Sequence, residues 1–209
     1  MADNIYINYG CGWDIVSDWK NFDASPTLQF ERLPILGRLY TKNKSRFPES
    51  VYYGDIVRGL PVQDGVVTGI YCSHVLEHLS LEDFRMALKN TYNLLHQDGT
   101  FRMVLPDLEF EISTYCNSNR TDRSLEFIKN IGMGIESRQK GLMAALSSLF
   151  GNSRHLWAWD FNGIKSELEE IGFKNIRRAY YGDSIDSNFN LAESKDRWIN
   201  ALGVECKKS

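Results

Sequence analysis

The residues able to do chemistry sit in short stretches, each directly after an apolar run. The first is Gly10-Cys11-Gly12, which follows Ile5-Tyr6-Ile7-Asn8-Tyr9. Neither glycine has a Cβ, so backbone there can approach a ligand closely. A second run, Trp19 to Phe22, ends on Asp23. A carboxylate in that place can accept hydrogen bonds from two ribose hydroxyls. Strand, glycine turn and strand ending in an acid is the grammar of a nucleoside-cofactor site at the C-terminal edge of a parallel sheet. The pattern then recurs. Asp55 and Ile56 come just past Val51-Tyr52-Tyr53-Gly54, and Ser73-His74 come just past the run Val66 to Cys72.

The histidines open other chemistries. His74-Val75-Leu76-Glu77-His78 spells H-x-x-E-H, the signature of a zinc peptidase with Glu77 as base. Here it follows a buried strand, which splits it. His74, at the strand end, faces the site. Glu77 and His78 start the next helical segment, where they cap backbone groups or pack. No bound metal is expected on that reading. His155 comes after the inserted region and beside Trp157 and Trp159, where it is either packed surface or part of an acceptor pocket. The two tryptophans are either core anchors or a sugar-stacking wall. His96 reads as a surface residue near a helix C-terminus. Arg38, Lys42, Lys44 and Arg46 form a small basic cluster, either a solvated loop or an anchor for an acidic group.

The elements that must position these residues alternate. Strands are expected at 5–7, near 19–22, at 51–53, 66–72 and 101–105. A short or broken helix is expected over 27–40, interrupted by Pro34. Ser80 is a plausible N-cap for a helix whose apolar face carries Phe84, Leu88, Tyr92 and Leu95, closed by Asp98-Gly99. Strand–helix alternation implies a parallel, three-layer α/β sheet. Residues 108–160 break the rhythm with expected helices at 108–116, 122–135 and 138–150, a natural lid or substrate pocket. A helix over 161–171 stopped by Gly172, a strand over 175–181 and a last strand over 198–206 complete the chain. That pair of strands is expected to close the sheet as an antiparallel hairpin.

The totals set bounds. At 209 residues, 43% apolar and 24% charged, the chain suits one domain with a large core. The net charge of −3 gives no reason to expect nucleic acid or an anionic membrane as partner. No run nears the ~18 apolar residues of a membrane span. The N-terminus M-A-D-N-I-Y-I-N lacks the basic and apolar regions of a signal peptide. The cysteines Cys11, Cys72, Cys116 and Cys206 are scattered without a C-x-x-C pair, as expected of reduced thiols in the cytoplasm.

Taken together, N-Y-G-C-G…N-F-D, Y-G-D-I…L-P, Y-C-S-H-V-L-E-H-L and L-L-H-Q-D-G-T-F-R-M-V-L-P-D-L resemble a class I S-adenosylmethionine-dependent methyltransferase, in order over residues 5–107. The C-terminal E-E-I-G-F-K-N-I-R is also similar to that family. Within it the chain looks closest to small methyltransferases (type 11-like) of surface-sugar and secondary-metabolite pathways. The resemblance implies a Rossmann-like, seven-stranded, mostly parallel sheet with an antiparallel last strand. It implies S-adenosyl-L-methionine as cofactor and a small-molecule or saccharide-type acceptor, methylated on O or N. It places Tyr9, Gly10, Cys11 and Gly12 under the methionine and ribose, with Trp13 as a cover. Asp23 and Ala24 meet the ribose, Asp55 and Ile56 the adenine, and Cys72, Ser73 and His74 flank the sulfonium. His74 and then His155 are the candidate bases. In one place the chain departs from that family: residues 13–22 are too few for a helix and a strand. That loss disfavours a phosphate-bearing dinucleotide. It also keeps open a non-catalytic, cofactor-binding or regulatory role on the same fold.

Overall fold

In the computed structural model, residues 4–34, 37, 45–135 and 154–209 are described. Apolar runs of period two or of continuous burial form the sheet. β1 (Ile5–Tyr9), β2 (Lys20–Asp23), β3 (Val51–Tyr53), β4 (Val67–Ser73) and β5 (Leu95–Pro106) are mutually parallel. β6 (Phe173–Ala179) and β7 (Ala201–Lys208) add as an antiparallel pair, with β7 against β5. The order is β3-β2-β1-β4-β5-β7-β6, so the seven-stranded, mostly parallel sheet is present.

One face is covered by helices. Short α1 (Pro26–Glu31) has Ser25 as its cap. In α2 (Leu81–Leu94) the Ser80 hydroxyl accepts from the Asp83 amide, and Phe84, Ala87, Leu88, Thr91 and Leu94 are buried at helical spacing. α3 (Leu108–Asn117) and α4 (Arg123–Asn130) pack on each other. α5 (Phe161–Ile171) stops at Gly172, whose φ of 114° no side-chain-bearing residue adopts cheaply. Phe84 and Leu88 of α2 meet Ile164 and Leu168 of α5 over the sheet core.

Several boundaries differ from expectation, among them α4, which ends at Asn130 rather than at 135. α2 does not run to Asp98-Gly99. Leu95 is already extended and pairs with Val67, so β5 begins there and Asp98 takes a φ of 65° inside its irregular start. His96 therefore lies on a strand, not at a helix end. β6 and β7 are each offset from 175–181 and 198–206, because Trp198 belongs to a 3-10 turn, Lys195–Trp198. The expected helix at 138–150 and the basic residues Arg38, Lys42 and Lys44 lie outside the described residues. Exposed Arg46 donates to the carbonyl of Gly37.

The missing helix between β1 and β2 is a structural fact: residues 10–19 form turns. Buried Asn8 and Asn21 satisfy the backbone that a helix would have paired. Asn21 accepts from Val16 N and donates to the carbonyls of Val16 and Trp19, and Asn8 donates to Asp14 O. The bared sheet face is covered instead by the segment between β6 and β7. Phe189, at 0% exposure, meets Tyr6 and Trp19 edge-on, and those two rings stack at 4.9 Å. Val16, Tyr71 and Val104 complete this second core, with Trp198 against it.

Burial also sorts the cysteines. Cys11, Cys72 and Cys206 are buried and Cys116 is exposed. Burial first, and the nearby Asp23 carboxylate second, push the Cys11 thiol up to about 12. Native protein treated with iodoacetamide near neutral pH is expected to label at Cys116 alone, with the other three reacting only in denaturant. Rapid native labelling at Cys11, read by peptide mass spectrometry, overturns this packing.

Candidate functional site

Register sets the site. Tyr9 pairs with Phe22, Asp23 with Tyr53 and Asn8 with Tyr71. The residues just past these pairs therefore stand level at the C-terminal edge: Gly10, Asp23, Asp55 and Ser73. Gly10 and Gly12 turn the chain with φ of 65° and 54°. A side chain at Gly10 would meet Val75 Cγ2 at 2.2 Å, whereas the space beside the Gly12 Cα is open. Asp23 Oδ2 accepts from Gly12 N at 2.9 Å and Oδ1 from Ser25 N at 2.8 Å. Each oxygen keeps a second lone pair for a ligand. Asp55 Oδ1 accepts from Val57 N, and Arg58 lies 3.5 Å from Oδ2.

Side chains at this edge divide. Asp23 and Asp55 are half-buried, and Ala24 is exposed. Tyr9, Ile56 and Cys72 are core residues, so at the edge Tyr9 and Cys72 offer backbone. The Cys11 thiol packs with Leu28, Phe47 and Val51. Trp13 stacks on Phe47 at 4.4 Å and donates to Arg46 O, which fixes it to one side of the loop.

Arg197 also reaches this edge, and no local signal in the chain pointed to it. Its Nε donates to Ser73 Oγ at 3.1 Å and an NH2 to Ser73 O at 2.9 Å, and its guanidinium lies 3.8 Å from Asp14. Its carbonyl accepts from His74 Nε2 at 2.8 Å. His74 Nδ1 faces Glu77 Oε1 at 3.4 Å, so both ring nitrogens are engaged. Burial lowers the His74 pKa, but Glu77 and the Arg197 carbonyl outweigh it and the net shift is upward.

Glu77 neither caps backbone nor packs as an apolar residue. It is 1% exposed, and neither carboxylate oxygen has a hydrogen-bond partner. The two histidines of H-x-x-E-H do not form one donor set. His78 Nε2, at 4.0 Å from Glu77 Oε1, is joined instead by His155 Nε2, at 3.9 Å. The backbone brings His155 in: the amides of Leu156 and Trp157 donate to Glu77 O. His155 borders a cleft that Glu77, Asp107, Glu111, Ile131 and Trp157 also line. Trp159 is a core anchor, buried and stacked on Phe84 at 4.4 Å. Trp157, 40% exposed, is a wall of the cleft.

Residues 9–103 match a family described as a methyltransferase domain. No curated protein matches the sequence. Several solved structures share the fold. A chain of the Haloferax volcanii complex that holds the Trm112 methyltransferase activator superposes with a TM-score of 0.52 at 13% identity, over 98% of this chain and 82% of that one. A Thermotoga maritima S-adenosylmethionine-dependent methyltransferase, described as a possible histamine N-methyltransferase, gives 0.51 at 12% identity, over 100% and 84%. The CMeT domain of the citrinin polyketide synthase gives 0.52 at 11%, over all of this chain and 48% of that one.

Proposed function

We propose that this chain, which carries a class I S-adenosylmethionine-dependent methyltransferase fold and domain, moves a methyl group to O or N of a small-molecule or saccharide-type acceptor. What carries the reading is the Asp23 carboxylate against the Gly12 amide at 2.9 Å, level with Asp55 and Ser73 across parallel strands. Two acids, open backbone at Gly12 and an apolar slot by Ile56 suit a ligand with a ribose, an adenine and an amino-acid head.

S-adenosylmethionine held there would supply a methyl on positive sulfur to an acceptor lone pair, the sulfur keeping the electron pair of the S–CH3 bond it gives up. The protein's part is alignment at ~3 Å and exclusion of water. The turn Gly10–Gly12 underlies the methionine and ribose, Asp23 holds the ribose hydroxyls and Asp55 the adenine amine. Trp13 and Ala24 flank the loop, and Ser73 and His74 stand beside the sulfonium. A hydroxyl acceptor also has to lose a proton as the bond forms. In this reading His74 and His155 are the residues nearest that task, and Trp157 supplies a stacking wall for a sugar or ring.

Among the described residues no helix is long and apolar enough to cross a membrane. A cytoplasmic place belongs to the same proposal. Titration calorimetry should show one S-adenosylmethionine site, and an acceptor panel should yield S-adenosylhomocysteine. An absence of binding heat at high micromolar cofactor overturns the reading. A non-catalytic binding role has one observation in its favour, the engagement of both His74 nitrogens. Binding with no S-adenosylhomocysteine from hydroxyl and amine acceptors selects it.

A further inference from the structure

We infer that Glu77, His78 and His155 form a binding site for a divalent first-row transition-metal ion of the zinc or manganese class, facing the cleft beside the proposed methyl site. One ligand atom from each of Glu77, His78 and His155 lies within 4.8 Å of the other two, and both Nε2 atoms approach Glu77 Oε1, at 4.0 Å for His78 and 3.9 Å for His155. Each histidine is oriented from behind. His78 Nδ1 lies 3.0 Å from Arg154 O, and His155 Nδ1 lies 2.8 Å from Ile131 O. A carbonyl only accepts, so both Nδ1 atoms carry protons. In the neutral rings both Nε2 lone pairs then point at the carboxylate. A carbonyl partner behind each ring is how metal-ligating histidines are held.

Nothing else among the described residues explains the cluster. The distances of 3.9 and 4.0 Å from Nε2 to Oε1 are too long for hydrogen bonds. They lie near the separation of about 3.4 Å between donors around a tetrahedral ion with bonds of 2.0–2.1 Å. A buried carboxylate with no closer partner than His74 Nδ1 at 3.4 Å is costly, and a cation satisfies it. His74 Nδ1 approaches the same oxygen, Oε1, at 3.4 Å and orients the carboxylate, while standing outside the three-residue donor set. Two imidazoles and one carboxylate leave coordination positions open. The small cleft that Glu77 and His155 line with Asp107 and Trp157 adjoins them.

Packing fixes His155 tightly. A Cβ built on Gly132 lies 2.4 Å from His155 Nδ1, and His155 N donates to Gly132 O. Gly132, at φ 71°, is therefore a positioning residue. The role for the ion as a holder of an acceptor hydroxyl rests on the methyltransferase reading, but the ion site does not.

The test uses full-length protein stripped with a chelator, then titrated with Zn2+ against a chromogenic competitor and with Co2+ followed by its visible d–d absorption. One equivalent is expected to bind. His155→Ala and His78→Ala are each expected to weaken binding 100-fold or more, with His96→Ala unchanged. Thermal melts of the metal-free variants establish that each is folded. Sub-stoichiometric binding, or equal affinity in folded His155→Ala, overturns the site. S-adenosylmethionine calorimetry on the same samples keeps the two readings apart. One ion bound with no cofactor binding upholds the metal site and removes the methyltransferase. Cofactor binding with no ion does the reverse.

Discussion

Replacing Asp23 with alanine is expected to weaken S-adenosylmethionine binding about 100-fold or more while the protein stays folded. The lost interactions are two hydrogen bonds from ribose hydroxyls to an ionised carboxylate. Each is worth about 1.5–3 kcal/mol, and each 1.4 kcal/mol is about tenfold in affinity. The same carboxylate also accepts from the amides of Gly12 and Ser25, so alanine frees the turn as well as emptying the ribose site. Those amides are partly solvated and water replaces the acceptor, which keeps the stability cost to about 1 kcal/mol. Asn in place of Asp23 retains one acceptor oxygen and is expected to fall between the two. Calorimetry on folded Asp23→Ala decides it: affinity within threefold of the unaltered protein removes Asp23 from the cofactor site.

The second large effect is structural. Arg102, in the middle of β5, has no exposed side-chain surface. It pairs with buried Glu193, with Glu205 at 2.9 Å and with Asp183 at 3.0 Å, and it donates to Tyr180 O at 2.7 Å. Its guanidinium also lies over Trp198 at 4.8 Å. Glu205 is its register partner on β7 and has a second cation in Arg177, at 2.7 Å. Among the described residues no other cation pairs with Glu193, whose side chain is itself fully buried. Arg102→Leu therefore strands a buried charge and is expected to cost about 3–5 kcal/mol, a large part of a domain's total. In a chain of this size that lowers the melting temperature by about 10 °C. Adding Glu193→Leu is expected to restore part of the loss, because the stranded charge is gone. Urea denaturation of the single and double variants measures both. A single variant within 1 kcal/mol of the parent would falsify the claim that this network fastens the β6–β7 segment to the sheet.

That segment carries the Arg197 contacts to Ser73 and His74, so fold stability and the site are joined through it. Loosening Arg102 is expected to release Phe189 and Trp198 from the face that the short first loop leaves bare.

The glycine turn and the acids at the C-terminal edge of the sheet were legible in the chain because their signals are local. A run of apolar residues, then Gly10 and Gly12, then Asp23, needs only backbone geometry to place a turn beside a carboxylate. The same holds for Asp55, for Ser73-His74 and for the missing helix of residues 13–22. Helix ends were legible where a cap carries them, as at Ser80 and Gly172. They were misjudged at Leu95, where pairing with β4 takes residues that the glycine further on would have left to the helix. Glu77 illustrates the limit most sharply. In sequence it belongs with His74 and His78; in space the backbone at Leu156 and Trp157 brings His155 to it across a long separation. What covers the bare sheet face was equally invisible, since Phe189 and Trp198 lie far along the chain from Tyr6 and Trp19. Periodicity, turns and caps are properties of neighbours in sequence, and the chain by itself determined those. Which distant side chains meet is set by how the whole sheet closes, and only the tertiary structure decided that.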